Sequence, residues 1–436
     1  MESAKYTKIS LILLVTITCF LSFACEGSGQ NNSSAEQKAV EMREGEQVDE
    51  QSKRRAALKT GPEMLFEQHL AKLEGKSIAV VANHTSQFRN GTHLVDSLIS
   101  TGIKVEKVFA PEHGFRGTAD AGEAVESGKD AKTGLPIISL YGKNKKPSKE
   151  QMEGLDMVIF DIQDVGSRHY TYIGTMTYVM EACAEKGIPI MVLDRPNPNG
   201  WYVDGPVLKA GNNSFIGMHE IPIVHGMSIA EYANMVNGEN WLADGLKVEL
   251  EVVPCEGYVH SMRWEDTGLD WIPPSPNLGT EYSAYLYPAI CWLEPTPASV
   301  GRGTHDAFTI VGAPWYTPAA GSYKGLETEA YSFTPVSLAG KSKYPKFQDE
   351  TCKGIKFSNR VSGKALLIAG IEIIKELYAQ APDKKAFFKK GFNKWPGSGE
   401  FQQQLESGVP TEEIYTSWQE EIRAFQQIRN KYLLYP

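Results

Sequence analysis

The sequence predicts an α/β fold, in which a Rossmann-like, mostly parallel sheet carries helices on both faces and a smaller α+β C-terminal domain follows. Short apolar segments alternate with amphipathic ones over residues 61–282, which is typical of buried parallel strands joined by helices. Several of these strands end abruptly in polar clusters, and the carboxyl ends of parallel strands lie along one sheet edge, where ligands bind. The alternation weakens beyond Gly205, and we place the second domain at residues 283–436.

The elements follow in order along the chain. Predicted strands of the first domain lie at residues 77–82, 105–110, 136–141, 157–160, 188–193 and 246–253. Predicted helices lie at 64–73, 93–101, 175–186 and 228–235, and Gly187 is the stop signal of the third. In the second domain the pattern predicts a strand at 308–311 and helices at 364–379 and 412–429.

The first 25 residues predict an export signal. Lys5 and Lys8 precede an apolar run at residues 11–24, which has the length of a signal-peptide core and is too short to span a bilayer comfortably. Cys25 then resembles a bacterial lipoprotein processing site, with a plain secretory signal as the alternative. Both interpretations predict export to the periplasm or outer membrane, and the first adds a membrane anchor through a lipid on Cys25. Residues 26–60 are polar and predict a flexible linker.

Charge and missing motifs argue against several classes of function. A net charge of −9 on 436 residues disfavours binding to a nucleic-acid backbone. Asn83 and His84 follow the first strand where a glycine-rich turn would be needed for a dinucleotide, so no NAD or ATP is expected. Neither a GxSxG elbow nor a recognised metal-ligand spacing is present, and we expect no cofactor and no metal. The cysteines beyond Cys25 are scattered, which favours isolated buried thiols over a disulfide framework, with one bridge as the alternative.

The strand at residues 105–110 ends in the strongest candidate site. Pro111 stops the strand because proline cannot donate to a sheet ladder. Glu112, His113 and Arg116 then place a carboxylate, an imidazole and a guanidinium just beyond the strand end. The four polar strand ends are Asn83/His84, Glu112/His113, Asp161/Asp164 and Asp194/Arg195. We expect them to converge on one sheet edge.

Paired carboxylates at such an edge suit glycoside hydrolysis, which uses one as acid and one as base or nucleophile. The candidates are Glu112, Asp161, Asp164, Asp194 and Glu294. The structural alternatives are caps for Asp161 and Asp194 and an ion pair between Glu294 and Arg302. For Glu112 alone we place function ahead of structure. Further candidates for hydrogen bonds to a sugar are His225 and Asn277, and Arg168 and Tyr172 follow Asp164 closely.

Longer motifs carry a resemblance to a known family. They are Pro111 to Gly117 with Ala119 to Glu123, Ser139 to Gly142, Phe160 to Gly166 with Tyr170 to Tyr172, Leu193 to Pro198, His225 to Met227, Pro274 to Asn277 and Gly301 to Thr304. On these motifs the chain resembles the exo-β-N-acetylmuramidases of glycoside hydrolase family 171, formerly a domain of unknown function. The stretch at 294–297 departs from the family's usual Glu-Gly-Thr-Asn, and residues 305–307 replace a more usual proline before Phe308.

The resemblance implies a glycosidase with its site in a cleft between or near the two domains. The implied reaction is release of terminal β-linked N-acetylmuramic acid from the non-reducing end of peptidoglycan fragments, either muropeptides or MurNAc–GlcNAc disaccharides. It places the catalytic glutamate on Glu112, and we assign the second catalytic group to Asp161 or Asp164. Arg116 or Arg168 would meet the lactyl carboxylate of muramic acid.

The remaining predicted substrate-binding residues are Asn83, His84, His113, Tyr172, Asp194, His225, Asn277, Glu294 and Arg302. Two alternatives come from other classes of protein. One is a non-catalytic muropeptide-binding lipoprotein. The other is a metal-dependent hydrolase of peptidoglycan peptides or acetyl groups, using histidines such as His84, His113, His169 and His225 with Asp161 and Asp164.

Overall fold

A computed structural model of the protein describes residues 58–117, 127–319, 323, 326–358 and 363–436. The predicted signal, the linker up to residue 57 and the motif at 119–123 lie outside these described residues. Within the described chain, Leu58 is already buried. None of the described helices is both long enough and apolar enough to cross a membrane.

A seven-stranded sheet organises the first half of the chain, with strand order β3-β4-β2-β1-β5-β6-β7. Its neighbouring strands are parallel except for β3 and β4, which confirms the predicted mostly parallel sheet. The strands are β1 (Ser77–Ala82), β2 (Lys104–Ala110), β3 (Gly128–Lys129), β4 (Pro136–Ser139), β5 (Met157–Asp161), β6 (Ile190–Leu193) and β7 (Leu250–Val253).

The central strands β1, β5 and β6 are buried on both faces, which explains why they are apolar without alternation. In β1, Ile78 and Val80 pack with Leu94 and Leu98 of a covering helix. Val81 faces the opposite side and belongs to the main core. Each such aliphatic side chain contributes about 1.5–3 kcal/mol when fully buried.

The helices of the first half are α1 (Gly61–Met64), α2 (Leu94–Ser100), α3 (Thr171–Lys186), α4 (Ile229–Gly238) and α5 (Trp264–Thr267). Helix α3 starts at Thr171, four residues before the prediction, and ends as predicted at Gly187 with a left-handed φ of 67°. The prediction of one regular helix at 64–73 is wrong. The short helix α1 is followed by a π-helical turn at Leu65–His69 and a 3₁₀ turn at Leu70–Leu73.

The second half contains a smaller antiparallel sheet, in the order β8-β10-β9, and five helices among the described residues. The elements are α6 (Glu281–Ile290), β8 (Ile310–Ala313), β9 (Thr328–Phe333), β10 (Cys352–Phe357), α7 (Lys364–Gln380), α8 (Glu400–Glu406), α9 (Thr411–Ser417) and α10 (Gln419–Arg429). The predicted strand at 308–311 starts later, because Phe308 has a left-handed φ of 63°. The predicted helix at 412–429 is two helices that meet at the buried Trp418. Cys183, Cys255, Cys291 and Cys352 are buried free thiols, as predicted.

Candidate active site

A β-turn places Glu112 beyond the carboxyl end of β2. The Gly114 amide donates to the Pro111 carbonyl at 3.0 Å, which makes Glu112 and His113 the central residues of the turn. His113 has a φ of 72°, the left-handed value that a type II turn requires at its third position. A non-glycine residue held there stores strain, which is typical of functional sites. The turn fixes Glu112 in a half-buried position, while the His113 side chain is buried.

Two hydroxyl groups from neighbouring elements orient the Glu112 carboxylate. Thr171, the first residue of α3, donates from Oγ1 to Glu112 Oε2 at 2.8 Å. Tyr141 follows β4, and its phenol hydrogen-bonds the same carboxylate. Burial raises the pKa of Tyr141, and the charge of Glu112 and this hydrogen bond raise it further. The carboxylate therefore lies at the positive N-terminal end of a 16-residue helix, where negative charge is stabilised.

Glu112 lines a cleft of about 1050 Å³ that the second half of the chain covers. Among the described residues, Glu112 and Glu294 are the carboxylates of this cleft. Its aromatic residues are Tyr141, Phe215, Tyr287, Tyr344 and Trp395, and its cations are Lys145, Arg302, Lys341, Lys343 and Lys394. Such a lining suits a sugar ring that carries negative charge.

Glu294 and Arg302 form an ion pair inside the cleft, as the structural alternative predicted. Arg302 Nε donates to the two carboxylate oxygens at 3.0 and 3.2 Å. Burial alone would raise the pKa of Glu294, but the charges of Arg302 and Lys346 outweigh it and hold that pKa below its ordinary value. Lys346 also donates to the carbonyls of Thr296 and Ala298 at 2.8 and 2.7 Å. Glu294 is therefore held ionised on a tightly fixed loop.

His169 lines the cleft but is locked as a neutral imidazole. Its Nε2 donates to the Trp395 carbonyl at 2.6 Å, which leaves Nδ1 to accept from Cys291 Sγ at 2.9 Å. Burial and the charge of Arg168 lower the pKa of His169 to about 3. Burial raises the pKa of Cys291 well above its usual value. The pair is therefore a thiol and a neutral imidazole, unlike the activated thiolate of a cysteine hydrolase.

Asp161 and Asp164, the predicted second catalytic groups, do not line this cleft. Asp161 is fully buried and accepts from Arg195 Nε at 2.6 Å and Nη2 at 3.0 Å. Asp164 accepts from the Gly166 amide at 2.7 Å, while its Oδ1 has no hydrogen-bond partner among the described residues. Burial raises the pKa of Asp164 to about 7. Asp161 is the last residue of β5 and Asp164 follows it, so both acids lie at the carboxyl end of this strand but outside the lining of the Glu112 cleft.

The crevice between β1 and β5 is where this sheet changes direction, because β2 and β4 lie on one side of β1 and β5 to β7 on the other. Ligands of open α/β sheets often bind at that point. Here several polar groups hydrogen-bond one another, while His84 Nδ1 has no partner among the described residues. Asn83 donates to the Tyr172 hydroxyl at 2.8 Å, and Tyr172 donates to the Pro274 carbonyl at 2.7 Å. His84 Nε2 donates to the Pro273 carbonyl at 2.7 Å. The 273–274 segment therefore packs against this end of β1, where a smaller cavity of about 310 Å³ remains beside Thr85, Gln163 and Arg195. The larger Glu112 cleft lies beside β2.

The two predicted carboxylate-binding arginines have other partners. Arg116 pairs with Asp130 at 2.8 Å and Asp96 at 3.1 Å. The hydrogen bonds from Arg116 lower the pKa of Asp130 to about 2. Arg168 is buried and donates to the carbonyls of Pro206, Ile221 and Trp395 at 2.8, 2.7 and 2.6 Å. Arg168 thus positions Trp395 in the cleft.

Asp194, His225 and Asn277 also lie outside the cleft lining. Asp194 accepts from the Ala230 amide at 3.0 Å, in the first turn of α4. This contact resembles the helix cap that we gave as the structural alternative for Asp194. The His225 ring accepts from the Met227 amide at 3.3 Å, and burial lowers the pKa of His225 to about 3. Asn277 donates to the Lys341 carbonyl at 2.6 Å and so holds a loop that borders the cleft.

Several residues that line the cleft were not identified from the sequence. Tyr141 and Thr171 lie in motifs that carried the family resemblance. Tyr141 comes two residues after β4, and Thr171 begins α3. Their position at element ends was the signal that could have identified them. Tyr344 and Trp395 come from distant loops without any local pattern. Within the described part of the chain, no three His, Cys, Asp or Glu side chains form a group that could hold a metal ion.

Comparisons with known proteins agree with the motifs. A family model described as exo-beta-N-acetylmuramidase NamZ, N-terminal, matches residues 78–282, and its C-terminal counterpart matches residues 285–435. The peptidoglycan beta-N-acetylmuramidase NamZ of Bacillus subtilis (strain 168) is 38% identical over 397 residues, covering 88% of this chain and 93% of that protein.

Two solved structures of DUF1343 family proteins from Bacteroides fragilis NCTC 9343 share the fold. One is 38% identical with a TM-score of 0.75, and the other is 31% identical with a TM-score of 0.78. Each comparison covers 87% of this chain and 99% of the other. Because both family models match and the relatives are similar over most of their length, this protein belongs to the exo-β-N-acetylmuramidase NamZ family.

Proposed function

We propose that this protein is an exo-acting glycosidase that releases terminal β-linked N-acetylmuramic acid from the non-reducing end of peptidoglycan fragments. The observation that carries the proposal is the Glu112 cleft, in a chain that belongs to the muramidase family over both of its halves. The cleft combines a fixed half-buried carboxylate, a second carboxylate, aromatic rings and five cations among its described residues. A sugar with its own carboxylate matches that lining.

In the proposed reaction Glu112 gives its proton to the glycosidic oxygen as the bond to the anomeric carbon breaks, and the N-terminus of α3 stabilises the carboxylate that remains. Glu294 is the second carboxylate of the same cleft, and Arg302 and Lys346 favour its ionised form. Glu294 either attacks the anomeric carbon itself or activates a water molecule that attacks it. In both cases water supplies the hydroxyl group of the released sugar. The earlier assignment of this role to Asp161 or Asp164 stays a prediction, with less support from their location.

The cleft cations are better placed than Arg116 or Arg168 to meet the lactyl carboxylate. Both of those arginines already donate to other groups, Arg116 to two carboxylates and Arg168 to three carbonyls. Lys145 borders the cleft with its ammonium 4.5 Å from the Phe215 ring centroid. A sugar that stacks on Phe215 would bring a carboxylate within reach of that ammonium.

The direct test uses two synthetic oligosaccharides that differ in their terminal sugar. We expect MurNAc–GlcNAc to yield free MurNAc and GlcNAc, detected by mass spectrometry. A GlcNAc–MurNAc–GlcNAc trisaccharide should remain intact, because its non-reducing end is not muramic acid. Binding of the disaccharide without turnover would favour a binding protein. Activity that a chelator removes and a defined metal restores would favour the metal-dependent alternative.

Replacing Glu294 by Ala is expected to lower kcat on MurNAc–GlcNAc by about 10²–10⁴-fold, the usual contribution of a positioned acid or base. Azide should restore part of the turnover and yield muramyl azide, because the small anion fits the space left by the carboxylate. Arg302→Met breaks the same ion pair but keeps the carboxylate, so azide should not restore turnover in that variant. An unchanged kcat in Glu294→Ala would remove Glu294 from the mechanism.

We also propose that the protein is exported and anchored to a membrane through a lipid on Cys25. The support is the N-terminal sequence alone, with its lysines, apolar run and Cys25. In cells, Cys25→Ser is expected to move the protein from the membrane fraction to the soluble fraction and to abolish labelling by a fatty-acid analogue. A wild-type protein that is processed, soluble and unlabelled would instead indicate a plain secretory signal.

A further inference from the structure

Tyr344 is an exposed aromatic side chain at the edge of the Glu112 cleft. It is 82% exposed, about twice as much as Val336, the next most exposed large apolar side chain among the described residues, at 41%. A tyrosine side chain can bury roughly 150–250 Å² of surface in a contact, so an exposed tyrosine leaves a substantial free energy of burial unused. Tyr344 lines the same cleft as Glu112 and Glu294.

The backbone that carries Tyr344 is firmly held. We define the Tyr344 loop as residues 337–346. Leu338 and Ser342 exchange two backbone hydrogen bonds of 2.9 Å, and Ser337 Oγ donates to the Lys343 carbonyl at 2.8 Å. Asn277 adds its bond of 2.6 Å to the Lys341 carbonyl. These bonds connect the loop both to itself and to the first half of the chain.

The end of the Tyr344 loop is packed as tightly. Pro345 is buried against Gly303, where an added Cβ would lie 2.6 Å from Pro345 Cγ. The next residue, Lys346, donates to the carbonyls of Glu294, Thr296 and Ala298 at 2.7–2.8 Å. The loop is therefore tied to the same segment that carries Glu294. Its ring is presented to solvent from a fixed backbone, and a rigid exposed ring is suited to stacking on a ligand at low entropic cost.

The cleft has a deep side and an open side. On the deep side Glu112 is half-buried and His169 is 3% exposed, whereas Tyr344 marks the open side. In an exo-acting enzyme the terminal sugar must reach the acid, and the rest of the substrate extends outward. The sugar next to the scissile bond on the outward side is the leaving group.

We propose that Tyr344 is the stacking platform for the leaving sugar, the N-acetylglucosamine ring that the reaction releases. This inference rests on the proposed muramidase function and adds a determinant of leaving-group preference. The apolar face of a pyranose packs on the tyrosine ring, and Asn277 acts as a positioning residue that holds the loop. The platform favours saccharide leaving groups over small alcohols.

The test compares two substrates with the same muramic acid and different leaving groups, MurNAc–GlcNAc and methyl β-N-acetylmuraminide. Tyr344→Ala is expected to raise KM for the disaccharide about tenfold, the factor that corresponds to 1.4 kcal/mol. Its kcat/KM for the methyl glycoside, which has no second ring, should remain within about twofold of wild type, a change of less than 0.5 kcal/mol. Tyr344→Phe should restore KM for the disaccharide toward the wild-type value, because the ring is retained.

Ile99→Ala removes an apolar side chain of α2 that is 38% exposed and outside the cleft lining, and it controls for general effects of surface truncation. Equal losses on both substrates in Tyr344→Ala would overturn the proposal, since the loop would then act on the catalytic centre. No change on either substrate would also overturn it. If the wild type cleaves neither substrate, the muramidase proposal itself fails, which is a distinct result.

Discussion

Glu112→Gln is expected to lower kcat for release of MurNAc from MurNAc–GlcNAc by about 10²–10⁴-fold, because the amide cannot transfer a proton to the leaving oxygen. The substitution is nearly isosteric, and the amide can still accept from Thr171 Oγ1, which lies 2.8 Å from Glu112 Oε2. The thermal midpoint should therefore stay close to wild type, and disaccharide binding measured by calorimetry should persist. The loss should appear in kcat rather than in KM.

A surface glutamate provides the matched control for this substitution. Glu150 is exposed and accepts from Ser148 Oγ at 2.8 Å, outside the cleft lining. Glu150→Gln should keep wild-type kcat. If Glu112→Gln also keeps wild-type kcat, the acid lies elsewhere, and Glu294 becomes the first candidate because it lines the same cleft.

Arg195→Met is expected to lower the free energy of unfolding by about 3–5 kcal/mol, because it leaves the Asp161 carboxylate unpaired in the core. Arg195 and Asp161 are 6% and 0% exposed, and their ion pair closes at 2.6 Å. Chemical denaturation followed by circular dichroism measures the loss. The double variant Asp161→Asn/Arg195→Met should recover part of it, since the isolated buried charge is then removed.

An exposed ion pair shows the contrast. Lys431 and Glu239 lie 2.9 Å apart, and the lysine side chain is 58% exposed, so Lys431→Met should change stability by less than about 1 kcal/mol.

The Asp161 variants also distinguish a structural role of this residue from a catalytic one. A folded Asp161→Asn protein with wild-type kcat would assign Asp161 to stability, whereas a large loss of kcat in folded protein would support its predicted catalytic role.

The local pattern was enough to predict the sheet. The central strands β1, β5 and β6 are apolar on both faces, since both faces are covered, and this continuous burial is visible in the sequence. Helix α3 ends at Gly187 as predicted, because a left-handed C-cap requires little more than glycine. The turn after β2 was also predictable, since Pro111 stops the strand and Glu112 follows it. These features depend on neighbours within a few positions.

The composition of the cleft depends on distant contacts. The cleft brings Glu112 together with residues from loops nearly 200 residues or more away in the sequence, namely Glu294, Arg302, Tyr344 and Trp395. No periodic pattern in the sequence predicts these contacts. The tertiary structure decides whether a charged side chain at a strand end faces a ligand or pairs with another side chain of the protein. Asp161 and Glu112 look alike in the sequence, yet Arg195 neutralises the first in the core.

The chain therefore specified its sheet, its family and the turn that presents Glu112 through short-range patterns of burial and backbone restriction. Packing of the second half over the sheet edge selected which acids share a cleft. Within the first half, His84 donates to the Pro273 carbonyl at 2.7 Å at the end of β1, whereas segments of the second half line the cleft beside β2. Burial and pairing are properties of the assembled molecule, because they depend on which distant segments displace water from each side chain.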